Sequence, residues 1–347
     1  MEIRLLTAKD DLKRYGDWVS SHPDGSLWQS LEWKGYQESL GRTVKIYAAF
    51  EGTELMASAL VVIDRTTFGL STWEIPRGPL GGIENGKLKI ENKELLSKII
   101  ADAKAKHSLA IYASPAGVFS IFNFPFSISS RHIHPEATRM INLTLDDDAI
   151  LTQMKPKGRY NIRLAEKHGV IVKQSTDIAA YQKLATETAS RDGFRGHRGG
   201  YEHFLKDLPG SFLLLAYQPS PVPSTPSVPS QPSSPSQPSS PPIAGLLGVI
   251  WGKTGIYYYG ASSNAHRELM APYLLQWEAM RLCKGRGCTQ YDLFGIAPEG
   301  MTEHPWASVS EFKAKFGGSI VTYPPEQQII LRPGMTHLLQ LKRRFFG

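Results

Sequence analysis

Two cysteines, Cys283 and Cys288, are all that the 347 residues contain. A disulfide framework needs more, and a separation of five fits neither a CxxC redox pair nor a zinc knuckle, so both are expected as buried, reduced thiols. The ten histidines are scattered. His132 and His134 form an H-x-H with nothing nearby to complete a ligand set, and no metal site is expected. No apolar run approaches the roughly 18–20 residues that a membrane-crossing helix needs. The opening MEIRLLTAKDDLKRYG has charges throughout and no apolar core, which argues against a secretory signal and for a cytoplasmic location. No Ser-His-Asp or Cys-His arrangement offers a covalent catalytic route.

What is present fits a globular protein. A length of 347 residues suggests two domains, and 41% hydrophobic with 20% charged residues is ordinary for such a chain. The formal charge is +7 and the pI about 9.2. That is a modest bias toward polyanions such as nucleic acid or phosphorylated substrates.

One stretch stands apart. Residues Gln218–Pro242 read QPSPVPSTPSVPSQPSSPSQPSSPP, too poor in apolar side chains to offset the entropy of ordering them. The flanking SFLLLAY and IAGLLGVIWG are both strand patterns, so the tract reads as an insertion in a hairpin loop rather than a domain linker. Elsewhere, helices are expected at Lys9–Ser20, Leu31–Leu40, Asn92–Lys106, Ile178–Arg191 and Ala271–Arg286. Strands are expected at Lys45–Phe50, Glu54–Asp64, Leu109–Ser114, Thr138–Leu143, Val170–Lys173, Gly255–Gly260, Gln290–Leu293 and Gln327–Leu331. The order helix, strand, hairpin, helix, strand occurs twice, which implies a mixed α/β (α+β) chain of two similar domains.

Three segments carry candidate chemistry. Residues Lys155–Lys173 hold six Lys or Arg against one acid, Glu166. On a helix ending near Gly169, Arg159, Arg163 and Lys167 share one face, either as a solvated surface or as an anion site suited to tRNA or a diphosphate. In Gly255–Ile296, an aromatic strand runs through a turn into an amphipathic helix whose Met270, Tyr273, Leu274, Trp277 and Met280 read as core. Its turn, ASSNAHRELMAP, lacks the glycines by which acetyltransferase-like loops cradle the pyrophosphate of coenzyme A, which disfavours that donor. In SEFKAKFGG, Lys313 sits between Phe312 and Phe316 before a Gly-Gly pair; read alone, it is an ordinary strand or turn lysine.

Together the segments have a precedent. Trp28-Gln29-Ser30-Leu31-Glu32-Trp33, Pro76-Arg77-Gly78-Pro79, RYNIRLAEKHGV, YYYGASS, MAPYLLQWEAM, GCTQYDLFGI and EFKAKFGG resemble, in order, the motifs of the peptidoglycan-bridge aminoacyltransferases (FemA, FemB, FemX), from about Leu6 to Ile330. With no long charged heptad run, the chain is similar to the short FemX-like form. The resemblance implies two acetyltransferase-like domains, each a mixed twisted sheet flanked by helices, spanning 1–144 plus 325–347 and 145–324. It implies transfer of an amino acid, without a cofactor, from aminoacyl-tRNA to the stem-peptide amine of a UDP-linked or lipid-linked precursor. A lipid-linked acceptor would bring peripheral contact with a membrane.

By the same resemblance, Lys313 and Phe312 match the lysine at the reacting ester and its neighbour. Tyr257 and Tyr259 match paired tyrosines of the substrate channel. Arg198 and Tyr201 match an Arg and Tyr holding the precursor's diphosphate, with a spacing one residue shorter. Lys34 stands in for a phosphate-binding lysine found three residues after Trp33, where this chain has Tyr36. The strand end Ala113-Ser114-Pro115 lacks an acid that relatives carry there. A coenzyme A-dependent N-acyltransferase and a non-catalytic tRNA- or precursor-binding protein are the alternatives.

Overall fold

The computed structural model describes residues 1–66, 69–84, 87–88, 90–117, 124, 126–131, 133–193, 200–219 and 240–336. The chain divides into two compact units, one of Met1–Ala137, Ala297–His304 and Val321–Gly347, the other of Thr138–Ile296 and Pro305–Ile320.

In the first unit the strand order is Glu2–Leu5, Thr43–Glu51, Glu54–Arg65, Ser71–Pro76, Ala110–Ser114, Gln327–Ile330, Ser127–Ile128. Residues 57 to 63 of Glu54–Arg65 are buried without a break, the pattern of a strand covered on both faces. The helix Ile90–Ala105 crosses over and sets Ala110–Ser114 parallel to Ser71–Pro76. Its Leu95, Leu96 and Ile99 pack on Tyr47, Val61, Trp73 and Ile111 of the sheet.

The second unit repeats the plan. Its order is Ile171–Ser175, Ser211–Tyr217, Pro242–Trp251, Thr254–Ser262, Gln290–Asp292, Ala137–Asn142, Ser319–Thr322. The helices Ile178–Asp192 and Gly200–Asp207 lead into the antiparallel meander. Helix Ala271–Gly285 then crosses over to a strand parallel to Thr254–Ser262. Both cysteines are free and buried near its end.

Each sheet takes its sixth strand from outside its own run of chain. Ala137–Asn142 follows the first unit but lies antiparallel to Gln290–Asp292 in the second sheet. Gln327–Ile330 follows the second unit but lies between Ala110–Ser114 and Ser127–Ile128 in the first. Buried Glu326 anchors that return, accepting both Nε (2.9 Å) and Nη2 (3.1 Å) of Arg131 and the hydroxyl of Ser114 (3.2 Å). Arg131 also reaches Glu74 at 2.9 Å and lies 3.4 Å above the Tyr112 ring. Within the first unit, two of the quoted motifs form one joint. Buried Gln29 donates to the Pro76 carbonyl (2.6 Å) and accepts the Leu60 amide (2.8 Å). A Cβ on Gly78 would stand 2.7 Å from the Gln29 amide nitrogen.

Where a length was expected, it is met to within one to three residues; helix Asn92–Lys106, for instance, runs Ile90–Ala105. Short elements carry the differences, among them strand Ser71–Pro76 and helices Asp147–Gln153, Gly200–Asp207 and Ala307–Lys313.

The Pro/Ser tract interrupts a single hairpin. Ser211–Tyr217 pairs antiparallel with Pro242–Trp251, with Tyr217 opposite Pro242, and residues 220–239 lie outside the described residues. Directly opposed residues are what a two-residue turn connects, and loop-closure cost changes slowly with length. Replacing residues 218–241 with Asn-Gly should therefore leave the cooperative melt in place, with the midpoint within about 3 °C by calorimetry. Loss of cooperativity would make the tract a structural part of the unit.

Candidate active site

Lys313 is the last residue of the helix Ala307–Lys313, not part of a strand or turn, and only 6% of it is exposed. The chain beyond it is held on several sides. Gly317 and Gly318 have φ of 76° each, and a Cβ would meet the Gln153 carbonyl at 2.4 Å or the Met140 carbonyl at 2.3 Å. Only glycine fits either constraint. Arg139 donates to both glycine carbonyls at 3.0 Å. Phe312, Phe316 and Tyr273 pack with ring centroids 5.2–5.8 Å apart. The Lys155 amide donates to the Lys315 carbonyl at 3.1 Å.

The Lys313 ammonium donates to the carbonyls of Gly295 (2.6 Å) and Phe294 (3.1 Å). Two successive carbonyls converge on it because Phe294 is left-handed, with φ 58°. A non-glycine residue needs support there. Asp292 supplies it by accepting the Phe294 amide at 2.7 Å, an Asx turn. The Tyr258 ring stacks on Phe294 at 5.1 Å. Thr138 donates its hydroxyl to the same Asp292 oxygen. Burial lowers the Lys313 pKa to about 7, while the Asp292 carboxylate pulls the other way.

Tyr257 lies beneath, its ring centroid 5.5 Å from the Lys313 nitrogen. Burial raises its phenol to about 12, opposed by its hydrogen bond with Gln276. Tyr257 and Phe312 line a cleft of about 600 Å³, whose lining also includes Arg191, Asp192, His266 and Arg267. At the start of helix Ala271–Gly285, Pro272 has no N–H and the Tyr273 N–H is taken by the Met270 carbonyl at 2.9 Å. Those two positions therefore offer no amide to a pyrophosphate, the physical counterpart of the missing glycines.

The other residues singled out in the sequence lie variously. A β-bulge makes Tyr258 an extra residue of the strand Thr254–Ser262, so that Tyr257 and Tyr259 stand opposite the adjacent residues Gly248 and Leu247. It breaks the alternation that would put Tyr257 and Tyr259 on one side. Tyr259 does not line the cleft; it packs edge-on against Tyr201 (5.1 Å) and Phe204 (5.5 Å). Tyr201 is buried in that aromatic cluster, at 7% exposure, and Arg198 lies outside the described residues. Lys34 is in the first unit, paired with Glu38 at 2.7 Å. Arg159 turns back to the carbonyl end of helix Asp147–Gln153, donating to Thr152 at 3.2 Å and to Met154. A cation suits that negative pole, so this arginine serves the fold, while Arg163 and Lys167 are exposed. His132 lies outside the described residues. Asp292 and Phe294 were not singled out, although Asp-x-Phe-Gly after a strand is an Asx-turn signature.

The FemAB family model matches residues 11–142 and 231–341, more than half of the sequence. The chain belongs to the FemAB family. Among relatives, a protein named Lipid II:glycine glycyltransferase from Staphylococcus epidermidis is 22% identical over 401 aligned positions, covering 94% of this chain and 93% of that protein. The crystal structure of FemX superposes with a TM-score of 0.74 at 18% identity, covering 98% of this chain and 100% of that one. A tandem GNAT protein from the clavulanic acid pathway gives 0.56 at 12% identity, covering 96% and 99%. This FemAB chain is thus built of two acetyltransferase-like units, each a mixed sheet flanked by helices.

Burying Lys313 has a stability cost with a definite pH window. The unfolded chain binds its proton below about 10.5 and the folded chain only below about 7. Stability therefore rises with pH between those values, and the full cost is present below the lower one. Lys313→Met, which removes the buried charge, should melt several degrees above the wild type at pH 6.5, with the gap closing toward pH 10. A gap that does not change with pH would mean that Lys313 keeps an ordinary pKa.

Proposed function

We propose that this FemAB protein transfers an aminoacyl group from the ester of an aminoacyl-tRNA to the stem-peptide amine of a peptidoglycan precursor. The observation that carries the reading is a desolvated, doubly anchored lysine beside a cleft, in a chain whose relatives are named for glycyl transfer to lipid II. The work is assigned to the cytoplasmic side of the membrane, where charged tRNA is available, with a UDP-linked or lipid-linked acceptor.

The acceptor amine attacks the ester carbonyl carbon. A C–N bond forms, negative charge gathers on the carbonyl oxygen, and the bond to the ribose oxygen then breaks. The proton lost by the amine ends on that oxygen. The ester is already activated, so no covalent enzyme intermediate is needed. An ammonium fixed before the substrate arrives stabilises the developing oxyanion more than the neutral carbonyl, and so raises kcat. Lys313 has two N–H groups committed to carbonyls, leaving the third to point elsewhere. With a pKa near 7 it also exchanges protons readily at neutral pH. The nitrogen is buried, with the Tyr257 ring 5.5 Å away, and the low dielectric strengthens the interaction.

Removing one such donor typically lowers the rate by on the order of 10²–10³. Lys313→Ala and Lys313→Met should fold and bind precursor nearly as well as wild type, yet lose about that much of kcat. Lys313→Arg should rescue poorly, because a planar fork cannot occupy the same point. The assay incubates enzyme with mixed charged tRNAs and precursor, reading the product by mass. Transfer by Lys313→Met above about a tenth of wild-type kcat would refute the oxyanion role. No product from any charged tRNA, combined with saturable acetyl-coenzyme A binding by calorimetry, would favour an acetyl donor instead.

A further inference from the structure

Helix Pro156–Lys167 buries Gly158, Asn161, Ile162 and Ala165 and packs on helix Ala271–Gly285 and the turn Ala314–Phe316. Its other side is unusual. Tyr160 stands there with 62% of its surface exposed. Lys157, three residues before it, and Arg163 and Lys167, three and seven after, are also exposed and lie at helical spacing along the same side. Among the described residues, none of these three cations enters a salt bridge, in contrast to Lys34 with Glu38. The only acid on the helix, Glu166, lies to one side. The stripe starts beside the reacting segment: the Lys155 amide meets the carbonyl of Lys315, two residues past Lys313, at 3.1 Å. A Cβ on Gly158 would be 2.3 Å from that same oxygen.

Unpaired cations around an exposed ring are the arrangement by which unpaired nucleotides are held, the cations on phosphates and the ring against a base. We propose that Tyr160 is a base-stacking contact for an unpaired nucleotide of the RNA substrate, with Lys157, Arg163 and Lys167 on the flanking phosphates. The inference rests on the RNA-dependent reading above and adds to it a recognition residue. Arg159 is outside the set, since its guanidinium caps the preceding helix. A membrane surface would also attract the charges. An interfacial helix, however, needs a broad apolar face for the bilayer, and here that face is buried within the second unit.

The full chain is titrated with uncharged total tRNA by fluorescence anisotropy at several salt concentrations, and with phosphatidylglycerol vesicles by sedimentation. Tyr160→Ala should weaken tRNA binding roughly fivefold or more with an unchanged salt slope, while Tyr160→Phe keeps the ring and stays within about twofold of wild type. Replacing Lys157, Arg163 and Lys167 with Gln should flatten the slope of log K against log salt by roughly two units. If wild type and all variants bind tRNA alike, the stacking contact is refuted while the RNA-dependent reading survives. If wild type binds vesicles through Tyr160 and binds no tRNA, both are refuted and the stripe is a membrane contact.

Discussion

A lysine kept 6% exposed is the constraint around which the second unit is organised. An ammonium taken out of water needs acceptors at fixed positions, or it loses its proton. The acceptors are the carbonyls of Phe294 and Gly295. They converge only because Phe294 is left-handed, and Phe294 stays so because Asp292 holds its amide. On the other side the lysine's own segment is fixed by Gly317, Gly318 and Arg139. Four stretches far apart in sequence thus answer to one charge. The segments GCTQYDLFGI and EFKAKFGG both take part in that arrangement.

The two units use one plan differently. At the end of the parallel strand Ala110–Ser114, charge is neutralised in place, with Glu326 in the fork of Arg131 and the guanidinium flat on Tyr112. At the end of the corresponding strand Gln290–Asp292, the carboxylate is occupied by an amide and a hydroxyl, and the nearby cation is turned to carbonyls. In the first case a guanidinium meets a carboxylate directly; in the second the ammonium's hydrogen bonds go to carbonyls, and the Asp292 carboxylate acts on it without a direct bond. A similar strand order therefore carries an ion-paired brace in one place and a buried lysine held by carbonyls in the other.

Much of this could be read from the residues before any coordinates. Long periodic stretches such as Ile178–Asp192 and Ala271–Gly285 declare their helices, and the repeated order of elements declares two similar domains. Ala307–Lys313 did not, because seven residues ending in a Lys-Ala-Lys-Phe-Gly-Gly run give too few turns for a period. Tyr257 and Tyr259 show another limit. Alternation puts them together, and a bulge that makes Tyr258 the extra residue of their own strand separates them. Arg159 is a third case, since its spacing matches Arg163 and Lys167 but its partners are the carbonyls of another helix. Sequence spacing gives direction along one element; what lies opposite is a tertiary fact.

The reciprocal sixth strands bear on how the chain emerges from the ribosome. When the first 137 residues have been made, Ala110–Ser114 has one neighbour and an open edge, and Ser127–Ile128 has nothing to pair with. Both wait for Gln327–Ile330, almost two hundred residues later. The second sheet receives Ala137–Asn142 first and can close as soon as its own last strands appear. The half of the chain translated first is therefore the half completed last. An exposed β-edge persists through most of synthesis, an interval in which a nascent chain is vulnerable to edge-to-edge pairing.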